Sequence, residues 1–317
     1  MLRLMQNLPL RTTAWLYNAR RVARLLMPMS SYPLADSSNS LSCDPLIIVS
    51  AGRSGTTLLR SMLVMGNDLA MPPENDKLPL MMMHYASMQE IGWSNLSRTV
   101  LSHMEVSTFY DMWQLDFNAM YAQARALPDE QKSLGRLIDL IYLRYADVHF
   151  PNATVWGDQT PDNMLYFHWF MKVFPKAKYL HVLRDGRDVV SSLLKMPAFE
   201  VDTSVERWNQ AMQRAIKIKQ SLPASQFAEM RYEDLVSNPE QTLQRVCDFA
   251  GIPYKPVMLD FWKSDTTVEH QWYEHHQNLA KPLSTKSVGR WRERLTNEQQ
   301  QIVNTELREM LDYYGYA

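Results

Sequence analysis

The feature that most constrains this chain is a short apolar run that leads through two glycines into a helical pattern. Residues 45–50 are Pro-Leu-Ile-Ile-Val-Ser and are bounded by turn residues, which predicts a buried parallel strand. Residues 51–57 are Ala-Gly-Arg-Ser-Gly-Thr-Thr, and residues 58–63 have the apolar spacing of a helix. Gly52 and Gly55 allow backbone N–H groups to converge, and the helix N-terminus adds partial positive charge. The segment therefore predicts an anion-binding loop within an α/β fold.

The side chains of this loop are hydrogen-bond donors that suit a phosphate group. Ser54, Thr56 and Thr57 carry hydroxyls, and Arg53 carries a planar guanidinium with several donors. A nucleoside triphosphatase would need the pattern GxxxxGK followed by Ser or Thr, but Thr56 stands where that lysine would be. From the loop alone, a phosphate site and a glycine turn that binds nothing both stay open.

A second strand and helix place another arginine at a strand end. Residues 178–183 are Lys-Tyr-Leu-His-Val-Leu, which predicts a buried strand, and Arg184 follows it directly. The helical pattern that begins there reaches Ser192 two turns later. Ligands of doubly wound sheets collect at the carboxyl ends of the strands, so both motifs can address one molecule with two anionic groups. Arg184 is suited to bind a phosphate with its guanidinium fork, and Ser192 to donate a hydroxyl hydrogen bond.

Three segments together resemble the PAPS-dependent sulfotransferases. They are Gly52–Thr57, Arg184–Arg187 with Ser192, and Arg231–Leu235. The resemblance is closest to the branch that contains the tyrosylprotein sulfotransferases and many bacterial relatives, and it covers roughly residues 45–295. It implies an α/β fold with a P-loop-like central parallel sheet flanked by helices. It also implies in-line transfer of a sulfuryl group from PAPS (3′-phosphoadenosine 5′-phosphosulfate) to a hydroxyl acceptor, without a metal.

The resemblance further implies which residues would hold PAPS. Arg184 and Ser192 would bind the 3′-phosphate, with Lys195 as an additional ligand. Tyr232 would lie beside the adenine, although an aromatic residue at a strand end is also a common core residue. The residues that match the family's 5′-phosphosulfate loop are Arg53, Ser54, Gly55, Thr56 and Thr57.

The resemblance also implies a catalytic pair. Family members of this branch place a glutamate soon after the first helix, and Glu74 in Met71–Asn75 matches it as general base, with Asp76 as the runner-up. Relatives commonly carry a lysine at the position of Gln159, and an amide donates hydrogen bonds but carries no charge. Arg53 is therefore our candidate for the cation that stabilises the leaving oxygen.

A segment near the C-terminus, Lys281–Trp291, resembles the part of the family that folds over the nucleotide. By spacing, Arg290 takes the place of a basic phosphate ligand. The near alternatives are Lys286, Ser284 and Thr285. The other interpretation of this stretch is the approach to a helix that starts at Thr296.

Between residues 79 and 150 the pattern is mostly helical, and we expect this insertion on the acceptor side. The acceptor class stays open among tyrosyl peptides, glycans, lipids and small molecules. Two other functions also stay open, a kinase-like P-loop phosphotransferase and a non-catalytic nucleotide-binding module. The aromatic residues of the insertion would stack on an acceptor or fill a core: Trp93, Tyr110, Trp113, Tyr121, Tyr142 and Tyr145.

The charge of the chain is unevenly distributed. A net charge of -1 excludes a nucleic-acid binder that works through a bulk positive field. The first 35 residues contain five arginines and no acid, so residues 1–44 predict a basic amphipathic helix and a linker ahead of a sulfotransferase domain at 45–317. The helix would contact an anionic membrane surface, or pack on the body or on a second copy in a homodimer. Because no export signal is apparent, we expect a cytoplasmic protein, and membrane association through residues 1–28 stays open.

Cysteines and histidines do not follow a metal-ligand pattern. Cys43 and Cys247 lie far apart and form neither a CxxC pair nor a disulfide framework. Three clustered histidines lack an acid or cysteine partner at a recognised spacing: His270, His275 and His276. We therefore expect no metal site.

Overall fold

The computed structural model describes Thr12, residues 32–263 and residues 279–316. Apart from Thr12, the basic helix expected within residues 1–28 lies outside the described residues. The same holds for the three clustered histidines, His270, His275 and His276.

A parallel β-sheet forms the centre of the fold. Its five strands are β1 (Leu46–Ser50), β2 (Leu69–Ala70), β3 (Val155–Asp158), β4 (Lys178–Leu183) and β5 (Phe227–Arg231). Their order in the sheet is β2-β3-β1-β4-β5, and every pair is parallel. The strands predicted at residues 45–50 and 178–183 are confirmed as β1 and β4, which pair along their length from Leu46 opposite Lys178 to Ser50 opposite Val182. All five residues of β1 are buried, as the apolar run requires of a central strand.

Helices surround this sheet, so the predicted α/β class is confirmed. The helices that follow β1, β3, β4 and β5 are α1 (Thr56–Val64), α7 (Phe167–Val173), α8 (Gly186–Leu193), α9 (Val201–Ser221), α10 (Tyr232–Ser237) and α11 (Pro239–Ala250). The C-terminal ones are α12 (Trp291–Arg294), α13 (Asn297–Glu306) and α14 (Arg308–Tyr314). No helix within the described part of the chain is both long and apolar enough to cross a bilayer.

The segment between β2 and β3 is helical, as predicted. It contains α2 (Leu78–Ser87), α3 (Trp93–Ser102), α4 (Tyr110–Trp113), α5 (Phe117–Arg125) and α6 (Leu134–His149). Trp113 packs edge-on against Tyr142 and Tyr145, each at 5.4 Å between ring centres, and Tyr142 stacks on Trp156 at 4.2 Å. These rings are buried. They therefore form a core that joins the insertion to β3, while Tyr110 is 41% exposed.

The residues just before β1 pack on the insertion. Contacts divide the chain into compact units at residues 1–32 and 33–317. The backbone N–H groups at the start of α6 donate to the carbonyl oxygens of Pro33 and Leu34, at 3.1 and 2.8 Å. The hydroxyl of Ser42 donates to the Asp139 carboxylate at 2.5 Å. The second unit thus begins upstream of residue 45, and the roles expected for residues 1–44 stay predictions.

The loop between β1 and α1 depends on left-handed backbone angles. Gly52, Arg53 and Gly55 have φ values of 70°, 56° and 90°. A β-carbon at Gly55 would lie 2.4 and 2.6 Å from two ring carbons of Tyr232, closer than any side chain tolerates. Arg53 adopts a left-handed angle that costs an ordinary residue about 1–2 kcal/mol. Such strain is typical of loops whose backbone faces a ligand.

The Gly55–Tyr232 approach predicts a stability difference between two glycine variants. Gly251, at the C-terminal end of α11, also has a left-handed angle, but the nearest atom to an added β-carbon is the flexible Lys178 Nζ at 3.3 Å. We expect Gly251→Ala to lower the free energy of unfolding by about 1–2 kcal/mol, the backbone cost alone. Gly55→Ala should lose about 1–3 kcal/mol more, because the ring must move. Urea unfolding measures both, and equal losses would contradict the close packing.

Candidate functional site

The carboxyl ends of neighbouring strands bring the predicted residues to one edge of the sheet. The loop 51–55 follows β1, Gln159 follows β3, Arg184 follows β4 and Tyr232 follows β5. Because β1 lies between β3 and β4, the loop has Gln159 on one side and Arg184 on the other. This is the edge at which parallel α/β sheets bind ligands.

Arg184 connects three parts of this edge. Its Nη1 donates to the carbonyl oxygen of Arg53 at 3.0 Å, and its Nη2 donates to the carbonyl oxygen of Ser287 at 2.9 Å. Its guanidinium carbon lies 4.2 Å from the centre of the Tyr232 ring. Its Nε is buried and has no hydrogen-bond partner within the described residues. The cation is thus held by neutral acceptors and an aromatic face, and the oxygens of a phosphate are stronger acceptors for it.

Arg53 joins the two predicted motifs. Its Nε donates to the hydroxyl oxygen of Ser192 at 3.3 Å, so the loop after β1 contacts the helix after β4. Burial lowers the pKa of Arg53, the charge of Arg184 lowers it further, and the carboxylate of Glu74 acts in the opposite direction. Arg53 therefore lies within electrostatic reach of both a cation and an acid.

The hydroxyl residues of the loop lie at the start of α1. Ser54 and Thr56 are buried and Thr57 is half-buried. The Ser54 hydroxyl donates to the carbonyl oxygen of Gly52 at 3.4 Å. Helix α1 has no side-chain cap and no acid in its first turn, so its first N–H groups are suited to an anion.

Residues 284–291, which we call the strap, lie against Arg184 and Tyr232. The hydroxyls of Ser287 and Tyr232 share a hydrogen bond of 2.6 Å. The buried carboxylate of Asp188 accepts the backbone N–H groups of Gly289 and Trp291 at 2.7 and 2.9 Å. Burial raises the pKa of Asp188, and these hydrogen bonds oppose that rise. Asp188 therefore fixes the strap to α8.

The strap residues predicted as phosphate ligands differ from the strap residue that contacts Arg184 and Tyr232. Arg290, Lys286, Ser284 and Thr285 are all exposed, and the Ser284 hydroxyl accepts the N–H of Lys286 at 3.2 Å. Ser287, which the sequence did not single out, is the strap residue that contacts Arg184 and Tyr232.

Five cations act on one another at this edge. Burial lowers the pKa of Lys195, and the charges of Arg294, Arg290 and Arg53 lower it further. Burial likewise lowers the pKa of Arg294, with Arg290 and Arg184 adding to the effect. Arg294 was missed from the sequence, although it follows Arg290 by four residues and so shares its face of a helical turn. Mutual repulsion of this kind is relieved by a bound anion.

The two candidate acids have different surroundings. Glu74 is half-buried and acts on Arg53. Asp76 pairs with Lys77 at 2.7 Å and accepts the hydroxyls of Ser107 and Thr108 at 2.6 and 3.1 Å. Partial burial acts to raise the pKa of Asp76, but these partners outweigh it and hold the pKa below its usual value. Asp76 thus binds the insertion.

The end of β3 is buried and polar. Gln159 is 2% exposed, and its Oε1 has no hydrogen-bond partner within the described residues. Asp158 accepts the Tyr142 hydroxyl at 2.5 Å, the Thr160 N–H at 2.9 Å and the Asn163 amide at 2.5 Å. Across residues 32–263 and 279–316, no three acidic, histidine or cysteine side chains are arranged to hold a metal ion.

A cavity of about 390 Å³ opens beside the start of the loop. Its walls are the end of β1 with Ala51, the turn 161–165 just after Gln159, and one face of α9. That face carries Thr203, Glu206, Arg207, Gln210, Ala211 and Arg214. No residue of the insertion 79–150 lines it among those described, so the acceptor-side role of the insertion stays a prediction.

Comparison with known proteins confirms the resemblance carried by the three motifs. A model of the sulfotransferase family matches residues 45–256. Protein-tyrosine sulfotransferase A of Caenorhabditis elegans is 28% identical over 149 residues, which cover 45% of this chain and 36% of that protein. An omega-hydroxy-beta-dihydromenaquinone-9 sulfotransferase of Mycobacterium tuberculosis is 22% identical over 86% of this chain and 75% of its own length. The chain spans about half the length of the tyrosine sulfotransferases it matches.

Solved structures agree on the fold. The sulfotransferase domain of the Synechococcus PCC 7002 olefin synthase has a TM-score of 0.59 at 21% identity, with 88% of this chain and 96% of that domain covered. The sulfotransferase domain from the curacin biosynthetic pathway has a TM-score of 0.55 at 20% identity, with 83% and 97% covered. The chain therefore shares the fold of these domains, and the predicted class, a central parallel sheet flanked by helices, is confirmed.

The Asp188 contacts predict how firmly the strap is held. Asp188→Ala leaves two backbone N–H groups without their acceptor, so local opening of the strap becomes easier. We expect trypsin to cleave after Lys286 and Arg290 about tenfold faster than in the unaltered protein. The control is Asp312→Asn, an exposed acid on α14. Equal cleavage rates for the two variants would show that Asp188 does not hold the strap.

Proposed function

Because this chain belongs to the sulfotransferase family, we propose that it transfers a sulfuryl group from PAPS to a hydroxyl acceptor. The observation that carries the proposal is the assembly of Arg53, Arg184, Ser192 and Tyr232 at adjoining strand ends. These residues come from three motifs, and the first lies more than a hundred residues before the other two in the chain. Their meeting is what a ligand with two separate anionic groups requires.

The donors at this edge fit PAPS. The loop N–H groups, Arg53 and the hydroxyls of Ser54, Thr56 and Thr57 would hold the 5′-phosphosulfate. Arg184 and Ser192 would hold the 3′-phosphate, with Lys195, Arg290 and Arg294 adding positive charge. The unpartnered Nε of Arg184 supports this fit, because a buried donor without an acceptor is costly. Tyr232 would lie beside the adenine.

We assign the chemistry to three side chains. PAPS supplies the sulfuryl group, whose sulfur forms a bond to the acceptor oxygen as its bond to the 5′-phosphate oxygen breaks. Glu74 would take the proton of the acceptor hydroxyl. Arg53 would stabilise the charge that grows on the departing phosphate oxygen, and the Gln159 amide would donate a hydrogen bond there.

We place the acceptor in the cavity between the turn 161–165 and α9. The cavity opens beside Ala51, next to the loop that would hold the sulfuryl group, and about 390 Å³ is the size of small-molecule sites. Its walls combine apolar side chains such as Met164 and Ala211 with charged ones of both signs, Glu206 and Arg207. This lining suits an apolar body with polar substituents. A tyrosyl side chain, a small phenol and a lipid headgroup region share that chemistry.

The membrane contact, the oligomeric state and the location of the protein stay predictions. A cytoplasmic location is predicted from the sequence alone, and peripheral membrane contact through residues 1–28 and a homodimer are alternatives for the N-terminal helix.

The deciding experiment is transfer from sulfur-labelled PAPS to a panel of tyrosyl peptides, glycans, lipids and phenols, without added metal. Labelled product from one acceptor class supports the proposal and names the class. Phosphate transfer from ATP that requires magnesium would instead identify a phosphotransferase. PAPS binding without transfer to any acceptor would identify a non-catalytic nucleotide-binding protein.

The base assignment predicts a loss of turnover at one carboxylate. We expect Glu74→Gln to lower kcat by about 10²–10⁴, because no general base then takes the proton of the substrate hydroxyl. The affinity for adenosine 3′,5′-bisphosphate should stay within about twofold, since Glu74 does not bind the nucleotide in this scheme. Asp76→Asn is the matched control. If Asp76→Asn shows the larger loss of kcat, the roles of the two acids are reversed.

The acceptor assignment predicts a steric effect on α9. Gln210 lines the cavity and is exposed, so Gln210→Trp fills the opening without disturbing the core. We expect the KM for the acceptor to rise about tenfold or more, with the affinity for the nucleotide unchanged. The control is Gln213→Trp, an exposed residue of α9 outside the cavity lining. An unchanged acceptor KM in Gln210→Trp would place the acceptor elsewhere.

A further inference from the structure

The loop that carries Glu74 is held at both of its ends by buried side chains. At its start, Arg60 of α1 is 1% exposed, and its Nε donates to the carbonyl oxygen of Met71 at 2.6 Å. At its end, the backbone N–H of Asn75 donates to the hydroxyl oxygen of Thr160 at 2.8 Å. Two prolines lie between these points and restrict the backbone. Glu74 is thus carried on a short segment with little freedom.

Thr160 is itself fixed by Asp158. The Asp158 carboxylate accepts the backbone N–H of Thr160 at 2.9 Å. The same carboxylate accepts the hydroxyl of Tyr142, so Asp158 also contacts α6 of the insertion. Asp158 and Tyr142 are at most 1% exposed, so water cannot replace these partners. Asp158 therefore holds the backbone of Thr160, while the Thr160 hydroxyl accepts the N–H of Asn75.

We propose that Arg60, Asp158 and Thr160 are positioning residues that clamp the Glu74 loop between α1 and the end of β3. Helix α1 begins directly after the loop 51–55, and Gln159 lies between Asp158 and Thr160. The clamp therefore ties the base to the two elements that face the sulfuryl group and the leaving oxygen. The inference rests on the proposed function, in which Glu74 takes the acceptor proton.

The clamp matters for the reaction because the rate depends on the position of the base. Acid–base groups act only within hydrogen-bond reach of the proton they take, and a displacement of about 1 Å can cost about 10² in rate. A carboxylate beside Arg53 is also drawn toward the guanidinium. The clamp fixes the backbone that carries Glu74 relative to α1 and the end of β3.

Thr160→Val tests the clamp, and Thr160→Ser is its matched control. Valine keeps the shape of threonine but cannot accept the Asn75 N–H, whereas serine retains the hydroxyl. We expect amide exchange of the peptide that contains Asn75 to rise about tenfold in Thr160→Val and to stay unchanged in Thr160→Ser. Exchange across β4 should not change in either variant. The kcat for sulfuryl transfer should fall about tenfold or more in Thr160→Val only, with nucleotide affinity kept.

Each other outcome overturns the clamp. Unchanged exchange at Asn75 in Thr160→Val would show that the hydroxyl does not hold the loop. Raised exchange with an unchanged kcat would show that the held loop does not position the base. Equal losses of kcat and nucleotide affinity in both variants would identify a general fold defect. The proposed function is judged separately by the unaltered protein, because absence of transfer to every acceptor there counts against the function, while the exchange comparison still reports on the clamp.

Discussion

Mutual repulsion of cations at one edge of the sheet is the constraint on which the rest of the site depends. The chain as a whole is nearly neutral, yet five basic side chains act on one another there. Flexible segments would separate such charges. They stay together because Arg53 and Arg184 leave the ends of paired central strands, while the strap and α12 bring Arg290 and Arg294 within electrostatic reach. The free energy of folding thus maintains a positive potential, which the anionic donor of the proposed function would neutralise.

This arrangement explains which parts could be predicted. A parallel strand that is buried on both faces is mostly apolar, so β4 was predicted to the residue even though it contains the buried His181. That Arg53 and Arg184 meet follows from the general rule that strand ends share one edge. Ser287 has no comparable signal, because its contact with Tyr232 depends on where the strap packs. The hydrogen bond from Asn75 to Thr160 joins distant segments, and no local pattern in the sequence encodes it.

Gln159 shows how charge and burial constrain each other. The resemblance implies a lysine at this position in many relatives, where it would add a positive charge beside the leaving oxygen. Here the position is 2% exposed, and an ammonium there would lose its hydration. A neutral amide avoids that cost. In the proposed function, Arg53, which is only half-buried, would supply the positive charge, and the buried position would supply a hydrogen bond.

The contact between Gly55 and the Tyr232 ring has a consequence for how the family diverges. Because the glycine has no room for a side chain while the ring is present, position 55 cannot take a larger residue before position 232 changes. A larger residue at 55 is compatible with the loop only after position 232 has become smaller. The order of substitutions is therefore restricted, and the two positions are expected to covary in homologous sequences even though 177 residues separate them. Evolutionary coupling between a backbone turn and an aromatic ring at the end of β5 would follow from sterics alone.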